Sequence, residues 1–455
     1  MFNLLLQFTK KYVINIPTIN EQKYISKLIT NLEELITLQQ RKEKQIKLLK
    51  QAMFQTLFTN KNVPQLRFKG FTDNWEQRKL GDLTQKIKSY PISHDAEINT
   101  ITGTKYIHYG DIHTGKLKRI TNEKILPNIN DNNYIPLKSG DVIVADASED
   151  YKGIADACVI DLMKEHYKIV SGLHTIVFRP NERLKSDFLY TYFHTPIFKH
   201  YGYRVGTGLK VFGITYNNLS NMEIKLPKID EQNKVYKIIN IVTNIITLQQ
   251  RKLRQLKLLK NALLKRMFTA KKSPTLRFRD FSKDWKLHKL QDITDRLDNA
   301  RVPVTASKRI AGSTPYYGAN GIQDYVKGYT HDGEFLLVAE DGANNINDYP
   351  VICAKGKIWV NNHAHVLQAK NKKIDILFLM YALKFLNMKK YLVGGGRSKL
   401  NAETMMKLAL KLPELDEEHN IGVLIKNMDV LITQYKYRIQ KINKFKQFLL
   451  QNMFI

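Results

Sequence analysis

Cysteine is nearly absent. The chain holds 2 in 455 residues, Cys158 and Cys353, far apart. No disulfide framework and no zinc cluster can be built from such a pair, which fits a reducing compartment. Long hydrophobic runs are also lacking. The apolar start, Met1 to Phe8, is followed by Lys10 and Lys11 and has no small-residue cleavage pattern. It is too short for a signal-peptide core with flanks and far too short to span a bilayer, so the expected location is cytoplasmic, with no membrane partner. Acid is scarce beside base: 42 Asp and Glu stand against 72 Lys and Arg, a net charge of +30. The remaining composition is ordinary, at 43% apolar and 25% charged residues. It argues against wholesale disorder, a collagen-like fibre or a membrane protein, and the length suggests about three structural units.

Catalytic signatures are missing too. There is no Gly-x-x-x-x-Gly-Lys-Ser/Thr phosphate loop and no Gly-x-Gly-x-x-Gly opening a βαβ unit. Gly394-Gly395-Gly396 is followed by Arg397, Ser398 and Lys399 rather than by a phosphate-loop helix. No Asn-Pro-Pro-Tyr or Asp-Pro-Pro-Tyr run is present to position an amino group for methyl transfer. Asp141, Asp146, Glu149 and Asp150 would have to converge with a lysine to serve a Mg²⁺ nuclease, and their spacing gives no sign of it. Loop acids are the commoner case.

What the chain does have is a basic field and an internal repeat. A field of +30 attracts a polyanion, nucleic acid before an anionic membrane surface. Ile36-Thr-Leu-Gln-Gln-Arg-Lys42 recurs unchanged at Ile246 to Lys252, 210 residues later. Leu66-Arg-Phe-Lys-Gly-Phe-Thr-Asp-Asn-Trp75 recurs at the same offset as Leu276-Arg-Phe-Arg-Asp-Phe-Ser-Lys-Asp-Trp285. Ile16-Pro-Thr-Ile-Asn-Glu-Gln22 matches Leu226-Pro-Lys-Ile-Asp-Glu-Gln232, again at 210, and Leu412-Pro-Glu-Leu-Asp-Glu-Glu418 is a third copy. Equal offsets across separate motifs predict the order helix, domain, helix, domain, helix.

The predicted helices run from Glu21 to Thr59, from Glu231 to Thr269 and from Glu417 onward. The first two contain neither Pro nor Gly, and the third has only Gly422. Asn20, Asp230 and Asp416 stand where N-caps belong. Ile238, Ile241, Ile245 and Leu248, then Leu256, Leu259 and Leu263, suggest an apolar stripe near coiled-coil period. A helix of about 40 residues is about 60 Å long, a spacer as well as a packing element. From Arg251 to Lys272 the second helix carries bases and no acid. That stretch is either a solvated face, a phosphate-facing stripe or a docking face.

The regions between the helices read as α+β domains with a curved sheet. Asp141-Val-Ile-Val-Ala-Asp146 and Glu334-Phe-Leu-Leu-Val-Ala-Glu340 are strand-like runs, each ending in an acid at a loop. Thr175-Ile-Val-Phe178 is matched in position with His365-Val-Leu-Gln368, and short helices follow at Ser186 to His194 and Asp375 to Leu386. Each domain then has a glycine-rich segment with a basic side chain, Val205-Gly-Thr-Gly-Leu-Lys210 and Val393-Gly-Gly-Gly-Arg-Ser-Lys399. Glycine permits close approach to a phosphate backbone and the base supplies charge; a plain tight turn is the alternative. The DNA-contact candidates are His174, Thr175, Arg204 and Lys210 in the first domain. In the second they are Asn361, Asn362, His363, Arg397 and Lys399. Tyr106, His108, Tyr316 and Tyr317 are further candidates for surface aromatics.

This pattern resembles the specificity (S) subunit of type I restriction-modification systems, over essentially the whole chain. Pro64-Gln-Leu-Arg-Phe-Lys-Gly-Phe-Thr-Asp-Asn-Trp75 with Lys79-Leu-Gly-Asp-Leu83 is similar to that family's domain opening. So is Pro274-Thr-Leu-Arg-Phe-Arg-Asp-Phe-Ser-Lys-Asp-Trp285 with Lys289-Leu-Gln-Asp-Ile293, and the closing motif from Leu226-Pro onward is equally typical. The resemblance implies two target-recognition domains, joined and followed by long antiparallel conserved helices, each domain reading one half of a bipartite target in double-stranded DNA. It implies docking of two methyltransferase (M) subunits on the helices, later joined by restriction (R) subunits. It also implies no catalysis and no cofactor in this chain, with S-adenosylmethionine, ATP and Mg²⁺ on the partners.

The expected segments are 1–61, the tail of a recognition domain with an extra N-terminal conserved helix; 62–227, the first recognition domain; 228–271, the central helix; 272–413, the second domain; and 414–455, the C-terminal helix. The extra helix departs from the usual pattern. It leaves open an alternative reading, a regulatory or truncated relic that binds methyltransferase without productive modification.

Overall fold

A computed structural model describes residues 63–148, 155–164, 166–208, 212–268, 274–370, 374–394 and 398–454. The expected N-terminal helix, with the repeat copies Ile16–Gln22 and Ile36–Lys42, lies outside the described residues.

Both globular regions are built on one strand pattern. In the first, Thr84–Ile87, Thr175–Pro180, Val142–Ala145, Ala157–Ile160 and Arg119–Ile120 pair in that order. All neighbours are antiparallel except the last pair. In the second, Thr294–Arg296, Ala364–Ala369, His331–Ala339, Val351–Val360, Ala311–Gly318 and Gly321–Val326 pair in order, with a parallel join at Tyr316–Tyr317 against Trp359–Val360. The middle strands read as unbroken apolar runs because both faces are covered, and Val142, Ile143, Val144 and Ala145 are all fully buried. The first region adds a second sheet, Lys168–Ser171, Thr104–Ile107, Asn128–Ile129 and Glu97–Ile98.

The strand match expected from sequence is shifted by one residue. Thr175 pairs with Ala145 and Ala364 pairs with Ala339, so Thr175 corresponds to Ala364 and Ile176 to His365. A slip of one residue changes sheet face. It puts His365 in the interior, where Nδ1 bonds Asp298 at 2.7 Å and Nε2 the Leu400 carbonyl at 2.9 Å.

Each repeated opening motif is stitched to a closing motif. Glu76–Lys79 pairs with Glu223–Leu226, and Lys286–Lys289 with Ala409–Leu412. Arg67 forks onto Glu231 at 2.6 and 2.7 Å, and Arg277 onto Glu417 at 2.9 and 2.6 Å. The next residue serves the short domain helix. Gln232 accepts from the Lys185 amide ahead of helix Ser186–Tyr192, and Glu418 from the Asp375 amide ahead of helix Ile376–Phe385. The repeated letters thus encode one joint between domain and helix, built twice.

The central helix runs Ile229–Met267 and the C-terminal one Leu415–Asn452. Acids at the start of both, and Lys265 and Arg266 at the end of the first, complement the helix dipole. The chain separates into two compact units that each take part of both helices: one holds the described residues to Thr243 plus those from Lys444, the other Asn244–Asn443. In the first unit the Leu66 amide bonds the Asn452 carbonyl beside the Arg67–Glu231 pair. In the second, the Leu276 amide bonds the Arg266 carbonyl beside Arg277–Glu417, and Lys260 meets Asp429 at 2.5 Å. Within the second unit, then, the contacts climb one helix while descending the other, and there the two run antiparallel.

The seam is a heptad in a different phase from the sequence expectation. Val235, Ile239, Val242, Ile246, Gln249, Leu253, Leu256, Lys260, Leu263 and Met267 alternate by four and three and are buried or half-buried. Ile241, Leu248 and Leu259, expected on the stripe, are about half exposed. The C-terminal helix answers with Ile421, Ile425, Met428, Ile432, Tyr435, Ile439, Ile442, Lys446, Leu449 and Met453 at the same spacing.

Candidate nucleic-acid interface

The same corner is built in both domains, from identical backbone contacts. The Asp146 amide donates to the His174 carbonyl at 3.1 Å, and the Glu340 amide to the His363 carbonyl at 2.9 Å. The Ile214 amide donates to the Asp146 carbonyl at 2.8 Å, and the Leu400 amide to the Glu340 carbonyl at 2.7 Å. Thr207 and Gly213 exchange both backbone bonds across the first glycine-rich segment, as Val393 and Lys399 do across the second. A strand end carrying an acid, a strand start carrying a histidine and a glycine-rich hairpin therefore meet twice.

In the first domain His174 is exposed, with φ at 56° and Nδ1 3.1 Å from Asp146 Oδ1. Short polar turns or histidine tolerate that left-handed backbone better than bulky residues do. Two residues earlier, a Cβ on Gly172 would come within 2.8 Å of the Ile107 carbonyl and 2.9 Å of Tyr106, so only glycine lets the chain turn there. Burial raises the Asp146 carboxyl above its ordinary range, against the opposing pull of His174. Tyr109 stands edge-on to His174 at 5.3 Å, and His108 and His94 continue the aromatic row.

In the second domain His363 Nδ1 lies 2.6 Å from Asp341 Oδ1. Glu340 takes Lys399 at 2.9 Å and Arg301 at 2.7 Å. Burial pushes the Glu340 carboxyl up, but Lys399 and Arg301 outweigh it and hold it below its ordinary value. In both corners the carboxylate engages Nδ1 and leaves Nε2 as the ring's second hydrogen-bonding atom, a fixed polar pair able to donate and accept.

The nine candidates distribute as follows. His174, His363 and Lys399 meet at these corners, and Asn362 is exposed beside His363, its carbonyl 3.4 Å from Arg301. Arg204 is exposed at the end of helix Pro196–Val205, 5.5 Å over the Tyr201 ring and ahead of the first hairpin. Thr175 is buried, its hydroxyl within 2.6 Å of the Gly172 carbonyl and of Ser171, so it holds the turn rather than facing outward. Asn361 is also buried; its side chain accepts from the His363 amide at 2.8 Å. Lys210 and Arg397 lie outside the described residues. Tyr106, Tyr316 and Tyr317 are interior rather than surface aromatics: the Tyr106 hydroxyl donates to Glu97 and the Tyr316 hydroxyl to the Val304 carbonyl. His108 is buried as well.

Sequence reasoning named His174 and His363 and the acids at the strand ends but not the pairing of Asp146 with His174 or of Asp341 with His363, since each pair spans 20 to 30 residues of chain. It missed Arg301, whose loop has no sequence signal. Among the described residues no group of acids, histidines or cysteines could hold a metal ion, and no helix is long and apolar enough to cross a membrane.

Two versions of one module, each stitched to long antiparallel helices and carrying a polar corner, define a DNA-specificity protein of the type I restriction-modification class. The profile of the family described as Type I restriction modification DNA specificity domain matches residues 72–258 and 282–444, and the chain belongs to that family. It is similar to the MjaVIII specificity subunit of Methanocaldococcus jannaschii, 22% identical over 422 residues, covering 82% of this chain and 91% of that one. A putative type I specificity subunit of Haemophilus influenzae is 41% identical over 151 residues; the match spans 33% of this chain and 38% of the relative's length. The solved S subunit of a type I restriction-modification system from M. genitalium shares the fold, with a TM-score of 0.58 and 14% identity over 88% of this chain and 98% of that one.

Proposed function

We propose that this chain is the non-catalytic sequence reader of a type I restriction-modification complex, each domain reading one half of a bipartite site in double-stranded DNA. The observation that carries the reading is the repeated corner. The backbone frame is the same in both domains, while the side chains on it differ: Asp146 and His174 in one, Glu340, Asp341, His363 and Lys399 in the other. Such a frame keeps the approach to the duplex constant and varies the groups that meet base edges. A histidine ring nitrogen and a carboxylate supply the donor and acceptor that base edges require, and a lysine supplies phosphate charge. The antiparallel helices set the interval between the half-sites and dock two methyltransferase subunits, to which restriction subunits add. S-adenosylmethionine, ATP and Mg²⁺ belong to those partners.

The test is co-expression with the cognate methyltransferase subunit, co-purification, and mapping of methylated sites. The purified chain alone is expected to leave DNA unchanged with Mg²⁺ or with a methyl donor. His363→Ala is expected to relax one half-site and leave the other intact. Relaxation of both halves, or of neither, refutes the assignment of domains to half-sites. Co-purification without any methylation would favour the relic reading instead.

A further inference from the structure

His94 repeats the construction of His174 and His363. Its ring is exposed, and its Nδ1 lies 2.5 Å from Glu97 Oε1. The same oxygen accepts the Tyr106 hydroxyl at 2.8 Å. Burial pushes the Glu97 carboxyl up, but the hydrogen bonds from His94 and Tyr106 outweigh it and hold it below its ordinary value. Glu97 is therefore a carboxylate that only accepts, and Nδ1 is the nitrogen that carries a proton. In the neutral ring this leaves Nε2 as a hydrogen-bond acceptor.

The segment that carries His94 is laced to the turn that carries His174. The Tyr90 amide donates to the Ser171 carbonyl at 2.9 Å, and the Leu173 amide to the Ile92 carbonyl at 3.0 Å. The Gly172 amide donates to the Ile107 carbonyl at 2.9 Å, which brings in His108 and Tyr109. Ring centroids then run from His94 to His108 at 3.7 Å, to Tyr109 at 4.6 Å and to His174 at 5.3 Å. His108 is buried and its Nδ1 accepts the Gly110 amide at 3.1 Å, so it is a fixed, neutral plane on which His94 rests. An exposed ion pair three residues apart would contribute little by itself. It does not account for an exposed ring held by a carboxylate, a second ring and a laced backbone, since ordering a surface side chain costs entropy.

We propose that His94 is a further specificity-determining residue of the first domain, its Nε2 accepting a hydrogen bond from the exocyclic amino group of an adenine or cytosine, at a base position other than the one His174 meets. The inference rests on the reading that these domains contact base edges, and it adds a residue to that contact. Among the described residues the sheet that carries Glu97 and Tyr106 occurs in the first domain alone. The second domain has no such platform there, so its half-site is the internal control.

The test uses the full chain assembled with its cognate methyltransferase subunit, and maps methylation over a DNA library varied in both half-sites. His94→Ala should reduce discrimination at one position of one half-site by about fivefold or more. His174→Ala should act at a different position of the same half-site, and the other half-site should stay intact. His94→Phe keeps a ring against His108 and should lose the same discrimination as His94→Ala. At that position the base is then replaced by an analogue without the amino group, purine for adenine or pyrimidin-2-one for cytosine. The analogue should weaken binding of the unaltered complex by about fivefold and leave that of His94→Ala unchanged. If His174→Ala acts and both His94 variants are silent, the inference is overturned and the domain reading stands; silence of all three overturns both. Full discrimination by His94→Phe would make the ring a packing element, and loss in both half-sites would make it a structural one. Either result overturns the inference.

Discussion

Replacing Arg277 with alanine tests whether the repeated joint is a buried clamp or a surface ornament. The Glu417 side chain has 0% of its surface exposed and that of Arg277 12%, with the two guanidinium bonds at 2.9 and 2.6 Å. Arg277→Ala strands a buried carboxylate, a loss of about 3–5 kcal/mol, whereas an exposed pair would cost less than about 1 kcal/mol. With a urea slope of about 2 kcal/mol/M, the larger figure moves the unfolding midpoint down by roughly 1.5–2.5 M. Arg277→Lys should recover only part of this, because an ammonium cannot make the planar two-bond fork. The pair Arg277→Met with Glu417→Leu should come close to wild type, since two apolar groups leave no charge unpaired. A midpoint shift of less than about 0.5 M for Arg277→Ala would refute the reasoning and make the clamp a screened surface pair.

Burial pushes the Glu418 carboxyl up to about 8, against the opposing pull of the hydrogen bond it accepts from the Asp375 amide. A folded-state pKa above the unfolded one means the protonated form favours the fold, so stability should fall as pH rises from about 4.5 to 8 and flatten above. Glu418→Gln, the amide the other copy carries at Gln232, should remove that slope in pH-dependent melting; an unchanged slope assigns it elsewhere. Lys399→Ala should weaken DNA binding by the assembled complex and reduce the slope of log affinity against log salt by about 1, while Arg301 still holds Glu340. An unaltered slope means Lys399 serves Glu340 alone. Gly172→Ala forces a Cβ against the Ile107 carbonyl and should cost about 1–3 kcal/mol by calorimetry, with altered half-site preference in the first domain only. Stability and preference equal to wild type would show that the turn relaxes freely.

Order along the chain was legible in the amino-acid sequence by itself. Equal offsets of 210 residues between Leu66 and Leu276, and between Ile16 and Leu226, follow from one module copied into one chain. The long helices follow from stretches free of proline and glycine. Candidate polar residues could be named because histidine, asparagine and glycine cluster at strand ends. The phase of the helix seam was not legible: Ile241 and Leu248 are as apolar as Val242 and Ile246, yet the first two are about half exposed and the last two buried, a choice made by what packs against the helix. Nor was the fate of each polar group. Thr175 and His174 are neighbours, yet one hydroxyl is locked inside a turn and one ring is held at the surface by Asp146. Such choices depend on contacts between residues far apart in the chain, such as Asp341 with His363 or Arg67 with Glu231. Local composition fixes what a segment can become; burial and long-range pairing, which exist only once the chain has closed on itself, decide which side chains are left to act.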